Sequence, residues 1–424
     1  MYQDWQEAVG MAFPAQPRDW YDVRDELARL ERKSRFPDYA KNLFDEGPHL
    51  ISSPDLPWGD EVRHEVVEAY LRFIHGETWH MGAGARDMEH DVISGMGALL
   101  GSDQAAGFIT SGGSESNLCA LLTAKSRAGR GGSVVMPRYA HYSFYKGCRM
   151  FDLEPVPVDP PAGRYGTVEP GQVRDAVRDD TICMIGTAGT WPFGTVDPID
   201  ELAAIAAERG IYFHVDACFG GFLLPFLERA GYHDSLRPWD FRASGVCSVS
   251  ADLHKNGLVP PPASSLYFRD ATLLEHAKRI APPNGTLSGT RPTGPIAAAW
   301  ASVQLMGLER YQATSVRSMR LKEEIIAGVQ EIPGLEVVPD SMINIFVVYS
   351  PTLDLRPVSA ELTERGWMFV TNAEPGPVAI CLCTMPQNEY SAGPFLADLR
   401  AAMSRAEPVP AGEAGREQAT YGNV

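Results

Sequence analysis

SVSADLHKNG at residues 248–257 decides the fold of this chain. Its apolar start reads as a strand, and its polar end presents His254 and Lys255 in a turn, at the strand end where open parallel sheets gather ligand-binding groups. Apolar runs of strand length recur around it: GFIT at 107–110, SVVM at 133–136, ICMIG at 182–186, IYFHV at 211–215 and CSVS at 247–250. Between them ESNLCALLTAKSRA and DPIDELAAIAAERG are rich in Ala and Leu, with acidic starts and basic or Gly ends that suit helix dipoles and caps. This alternation predicts an α/β fold of βα units around a mostly parallel sheet.

A further helix is predicted from about Ile296, and beyond about residue 325 the elements shorten. There LEVVPD, INIFVVYS and VAICLC read as strands and PVSAELTERG as a helix, the pattern of a small α+β domain. Residues 1–60 mix charge, Pro and aromatics without a strand period and read as an N-terminal arm. The expected organisation is that arm, a large domain over 61–310, a small C-terminal domain over 311–406, and a Pro- and Gly-rich tail over 407–424 expected to be disordered.

Composition narrows the function. The 424 residues are 44% hydrophobic and 21% charged, with a formal net charge of -17. Such a charge repels phosphate backbones and anionic lipid surfaces, so small molecules are expected in place of nucleic acid or membrane. Seven scattered cysteines lack zinc-ligand spacing and read as reduced thiols, so no metal site is expected. MYQDWQEAVG has no basic region followed by an apolar one, and no apolar run approaches the ~18 residues of a membrane span. A cytoplasmic protein is the expectation.

Four blocks carry chemistry. Lys255 sits between a strand and GLVPPPASS, whose Gly and three prolines restrict the backbone, and a held amine suits imine chemistry. In HVDACFGGF at 214–222, Asp216 ends a strand among apolar neighbours. A buried carboxylate there needs a cation or donors, and a pyridinium nitrogen is one such partner. TSGGSESN at 110–117 joins a strand to a helix. Gly112 and Gly113 allow close approach of an anion, and Ser114 adds an N–H and a hydroxyl, although a plain Ser-capped helix has the same pattern. In AHYSFYKG at 140–147, His141 is either a satisfied loop residue or an imidazole stacked on a cofactor ring, with the methyl of Ala217 against the other face.

In this order, TSGGSESN, AHYSF, GTAGTWPFGTVDPIDEL, HVDACFGGFLLPF, SADLHK and SGTRPTGPIAAAWA resemble the fold-type I pyridoxal phosphate (PLP) enzymes of the group II decarboxylase family. The likeness, from about residue 88 to 310, is to the archaeal-type tyrosine and aspartate decarboxylases, with sphingosine-phosphate lyases as cousins. The resemblance implies a mostly parallel seven-stranded sheet with helices on both faces, plus a small C-terminal α+β domain. It implies that Lys255 holds the cofactor as an internal aldimine, Asp216 pairs with the ring nitrogen and His141 stacks. It further implies that Gly113, Ser114 and His254 hold the phosphate and that Thr187 lies near the ring's phenolic oxygen. Ser288 or Thr290 is implied to complete the phosphate site of a neighbouring subunit, and hence a homodimer with shared active sites. Arg291 has two readings, a guanidinium for the substrate carboxylate or a structural partner of an acid. The implied reaction is decarboxylation of an L-amino acid through an external aldimine and a quinonoid.

Two departures matter. The family's loop tyrosine, which protonates the α-carbon, has no counterpart between Tyr267 and Tyr311. Tyr142 and Tyr145 are the candidate substitutes, and without a donor oxygen-dependent deamination becomes an alternative outcome. Compared with the lyases, Asn256 replaces an aromatic and Pro261 a second lysine, which disfavours a phosphorylated lipid, though carbon–carbon cleavage remains the runner-up. In GETWHMGAGARDME, His80 and Trp79 are read either as lining the substrate entrance or as packing residues.

Overall fold

A computed structural model describes residues 19–34, 41, 43, 54, 56–76, 83–233, 236–282, 284–372 and 378–409. The chain forms two compact units, Met1–Tyr39 and Ala40–Val424. In the first, a helix over Trp20–Ser34 (α1) leaves Trp20, Tyr21, Leu27 and Leu30 exposed.

The second unit is built on a seven-stranded sheet. Its strands are Ala106–Thr110 (β1), Ser133–Pro137 (β2), Glu154–Val158 (β3), Thr181–Thr187 (β4), Tyr212–Asp216 (β5), Ser248–Ala251 (β6) and Ser264–Phe268 (β7). Their spatial order is β1-β7-β6-β5-β4-β2-β3. Only β7 runs against its neighbours β1 and β6; the other pairings are parallel. Every residue of β4 is buried, as helices covering both faces of a parallel sheet require.

All five runs read as strands lie in this sheet, and two of its strands have no such signal. β3 is EPVPV, whose prolines argue against a ladder, yet as an edge strand it is where a missing N–H is tolerated. β7 is SSLYF, directly after the proline run, and its serines hide the apolar character that marks the other strands. Gly107 explains the tight β1–β7 pairing, since a Cβ there would lie 2.0 Å from the Leu266 carbonyl oxygen.

The helices that frame the sheet's carboxyl edge include Gly113–Ala128 (α4), which follows β1, and Tyr142–Phe151 (α5), which follows β2. They come after Gly59–Arg72 (α2) and Ala83–Leu99 (α3) in the chain. A long helix over Gly294–Gln330 is broken at Gly307, where φ is 53°. It runs through residues 310 and 311 into a second core of Leu321, Ile325, Phe346, Trp367, Phe395 and Leu399 beneath a four-stranded sheet. Each such side chain contributes roughly 1.5–3 kcal/mol by leaving water.

Two small-domain expectations are corrected. LEVVPD pairs only over Glu336–Val337. Glu407–Pro408, expected in a disordered tail, pairs with Leu353–Asp354, which offers an otherwise open strand edge. No described helix is long and apolar enough to cross a membrane.

Candidate active site

The ends of β4 and β5 and the turn after β6 deliver Thr187, Asp216, His254 and Lys255 to one cavity of about 300 Å³. The loops after β1 and β2 add Gly113, Ser114 and His141. Residues more than a hundred positions apart thus meet at the carboxyl edge of a parallel sheet.

Lys255 is 9% exposed. Its Nζ lies 3.1 Å from Asp252 Oδ2 and 3.7 Å from the centroid of the Phe219 ring. Asp252, three residues before the lysine in the same turn, was not singled out from the sequence. Its Oδ1 is buried without a hydrogen-bond partner among the described residues.

Asp216 is the electrostatic centre. Burial pushes its carboxyl up, but His141, the Cys218 N–H and His214 outweigh burial and hold it below the usual carboxylate range. Cys218 N donates to Oδ1 at 3.0 Å and Asn117 Nδ2 to Oδ2 at 2.9 Å. His141 is the N-cap of α5, with Nδ1 accepting from Ser143 N at 3.3 Å. Burial lowers its pKa against the opposing pull of Asp216, so the imidazole is neutral at pH 7. The thiol of Cys218, also at the cavity, is pushed well up by burial and stays protonated.

The anion cup follows from glycine. Gly112 has a φ of 153°, and a Cβ on Gly113 would lie 2.6 Å from Cys218 Sγ and 2.8 Å from Asp252 Oδ1. Together with Ser114 they open α4, whose first N–H groups form an anion site. Glu115 braces the loop by accepting from Ser111 N and Ser111 Oγ, each at 2.7 Å.

PLP fits this donor set. The helix opening suits its phosphate, and Lys255 its aldehyde. The ionised Asp216, buried among neutral donors, suits a protonated ring nitrogen. Thr187 Oγ1, buried without a partner among the described residues, lacks the polar group that a buried hydroxyl requires.

Other expected residues lie elsewhere. Of the two readings of Arg291, its contacts are those of the structural partner of an acid: it is buried, forked on Glu89, and Nη1 also donates to Ile109 O at 2.6 Å. Ala217 does not line the cavity, because its methyl belongs to the apolar core. Ser288 and Thr290 do not line this chain's cavity either, and Ser288 N donates to Glu115 Oε1 at 3.1 Å. His80 and Trp79 lie outside the described residues. Tyr145 OH donates to Arg138 O at 3.0 Å, and Tyr142 is 45% exposed, so neither reaches the cavity. Its aromatic wall is instead Tyr139, Trp191 and Phe219, the latter two stacked at 5.8 Å and 18°. Lone aromatics in loops carry no periodic signal.

Comparison with known proteins agrees with this geometry. Residues 78–349 match the pyridoxal-dependent decarboxylase conserved domain. The chain is 36% identical over 343 residues to a probable L-tyrosine/L-aspartate decarboxylase of Methanothrix thermoacetophila, covering 79% of this chain and 86% of that protein. It is 31% identical to the L-aspartate decarboxylase of Thermococcus kodakarensis, over 88% of this chain and 95% of the relative. Among solved structures, a sphingosine-1-phosphate lyase of Burkholderia pseudomallei superposes with a TM-score of 0.83 at 28% identity, covering 93% of this chain and 92% of that one.

Two outcomes are expected. Gly113→Ala should weaken PLP binding roughly tenfold or more, because the new methyl displaces Cys218 or Asp252; equilibrium titration of coenzyme-free protein measures it, and unchanged affinity would remove the loop from the site. His214 is fully buried, and burial pushes its pKa from 6.5 down to about 4. The unfolded chain therefore takes up the proton first, so this stability is complete above pH 6.5 and is lost as pH falls toward 4. In denaturant unfolding, the parent should lose stability relative to His214→Gln across that window. A pH-independent difference would mean that the imidazole titrates normally.

Proposed function

The chain belongs to the pyridoxal-dependent decarboxylase family, and from that premise we propose that it releases the α-carboxylate of an L-amino acid as carbon dioxide, with Lys255 carrying the coenzyme. The observation that carries this reading is an ionised, buried Asp216 facing the same cavity as a nearly buried lysine amine. When bound, PLP supplies an electron sink for the pair left when a bond at the substrate's α-carbon breaks.

This chain's own residues do the rest. Asp252 Oδ2, 3.1 Å from Lys255 Nζ, holds the amine in place at the cavity. Asp216 would keep a proton on the ring nitrogen by offering it a fixed anion. His141 would cover one face of the bound ring, Gly113, Ser114 and His254 would hold its phosphate, and Thr187 Oγ1 would meet its phenolic oxygen. Tyr139, Trp191 and Phe219 line the cavity and would exclude water and orient the substrate.

We read 61–310 as the coenzyme-holding domain and 311–406 as the small domain, in a cytoplasmic homodimer whose Ser288 or Thr290 reaches the neighbouring cavity. The seven free cysteines support a reducing compartment. Carbon–carbon cleavage is the second reading, favoured by the likeness to the Burkholderia lyase. Against it, Lys255 is the only lysine among the described residues lining the cavity. Asn256 is used in packing, with Nδ2 donating to Phe219 O at 2.9 Å.

Purified enzyme offered a panel of amino acids should release carbon dioxide from at least one, leaving an amine that keeps every other carbon. Lys255→Ala should lower that rate by roughly a thousandfold or more. Two fragments that together hold every substrate carbon would favour the lyase reading. Oxygen uptake matched to ammonia release would favour oxidative deamination.

A further inference from the structure

Behind Asp216 lies a buried polar chain that the proposed chemistry leaves unused. Asn117, Ser143, Tyr212, His214, Ser248 and Ser250 are each 0 or 1% exposed. Polar groups so deep persist only when their hydrogen-bond directions are mutually satisfied. The directions are fixed by one fact: an ionised carboxylate accepts and never donates.

Asp216 Oδ2 lies 2.9 Å from one end of the Asn117 side chain, so that end is the amide nitrogen. The other end, Oδ1, must then accept, and it faces His214 Nε2 at 3.2 Å and Ser250 Oγ at 3.0 Å. His214 therefore carries its proton on Nε2. Its Nδ1 accepts from Ser248 Oγ at 2.8 Å, and Ser248 in turn accepts from Tyr212 OH at 2.7 Å.

The amide nitrogen has a second proton, and it points at Ser143 Oγ, 3.1 Å away. With that lone pair taken, Ser143 gives its own proton to His141 Nδ1 at 2.8 Å, where Ser143 N also donates at 3.3 Å. His141 Nδ1 is thus an acceptor, and its proton sits on Nε2. A single amide group therefore touches the carboxylate meant for one part of the coenzyme and, through one hydroxyl, the imidazole meant for its face.

We propose that Asn117 is a positioning residue that couples Asp216 to His141, using its two N–H protons to keep the carboxylate charged and to direct the Ser143 hydroxyl onto the imidazole. The inference deepens the site described above and rests on that reading for its consequence in catalysis. Removing the amide strips Asp216 of its shortest hydrogen bond and frees Ser143 to turn its proton elsewhere. The support of the Asp216 charge and the hydroxyl hydrogen bond at His141 Nδ1 then change together, although Asn117 itself does not line the cavity.

The test uses the full chain with isotopically labelled histidine nitrogens, read by nuclear magnetic resonance in coenzyme-free protein, followed by titration with PLP. In the parent, His141 should show one neutral tautomer, protonated on Nε2. Asn117→Leu, similar in size but without donors, should move the His141 ring-nitrogen shifts away from the parent's, because the Ser143 hydroxyl is freed while Ser143 N still donates to Nδ1, and should bind PLP about tenfold or more weakly. Ser143→Ala should alter the His141 shifts and weaken PLP binding less than Asn117→Leu does, because the Asn117–Asp216 bond survives. Parent-like His141 shifts in Asn117→Leu, or parent-like affinity in that variant, would overturn the proposal. Should Asn117→Leu fail to fold by circular dichroism, unchanged His141 shifts in Ser143→Ala are enough to overturn it. The imidazole signals need no coenzyme, so a parent that binds none defeats the functional reading while leaving this measurement valid.

Discussion

Everything at this site depends on keeping one carboxylate charged where water cannot reach it. Burial alone would protonate Asp216, and a neutral acid offers a ring nitrogen little reason to hold its proton. The protein opposes burial with oriented donors: the Cys218 N–H on one oxygen and the Asn117 amide on the other. None of these brings a full positive charge, so the anion is held yet left available to a cationic ligand atom. The remaining geometry serves that arrangement.

The sheet makes the arrangement possible. Parallel strands end side by side, so β4, β5 and β6 deliver Thr187, Asp216 and the Asp252–Lys255 turn to adjacent positions without long, mobile loops. Asn117 reaches Asp216 across 99 residues of sequence because α4 packs against these strands. Preorganisation of this kind is where a coenzyme enzyme spends its folding stability, since fixed dipoles need not reorganise during reaction. Arg291 fits the same logic at one remove: by clamping Glu89 and the Ile109 carbonyl it braces the strand that leads into the Gly112–Gly113 turn.

Much of this was legible in the sequence, for physical reasons. Buried parallel strands are short apolar runs, and the groups at their ends appear as polar residues directly after them, which is why Lys255, Asp216 and the Gly112–Gly113 turn stand out in the sequence, whereas Thr187 rests on the family resemblance alone. β3 and β7 escaped because prolines and serines broke the apolar signal, although an edge position and an antiparallel partner tolerate both. Asp252, Asn117 and the wall of Tyr139, Trp191 and Phe219 escaped because their roles arise from contacts between distant segments. Arg291 was ambiguous in sequence since any buried guanidinium needs an acid, and only the fold reveals that Glu89 supplies it.

The most direct measurement is borohydride reduction of the purified protein in the presence of PLP, followed by peptide mass mapping. The account predicts that the coenzyme's mass is trapped on the nitrogen of Lys255 and that Asp216→Asn diminishes the yield. A protein that remains unmodified, or one modified mainly at another lysine, would contradict it.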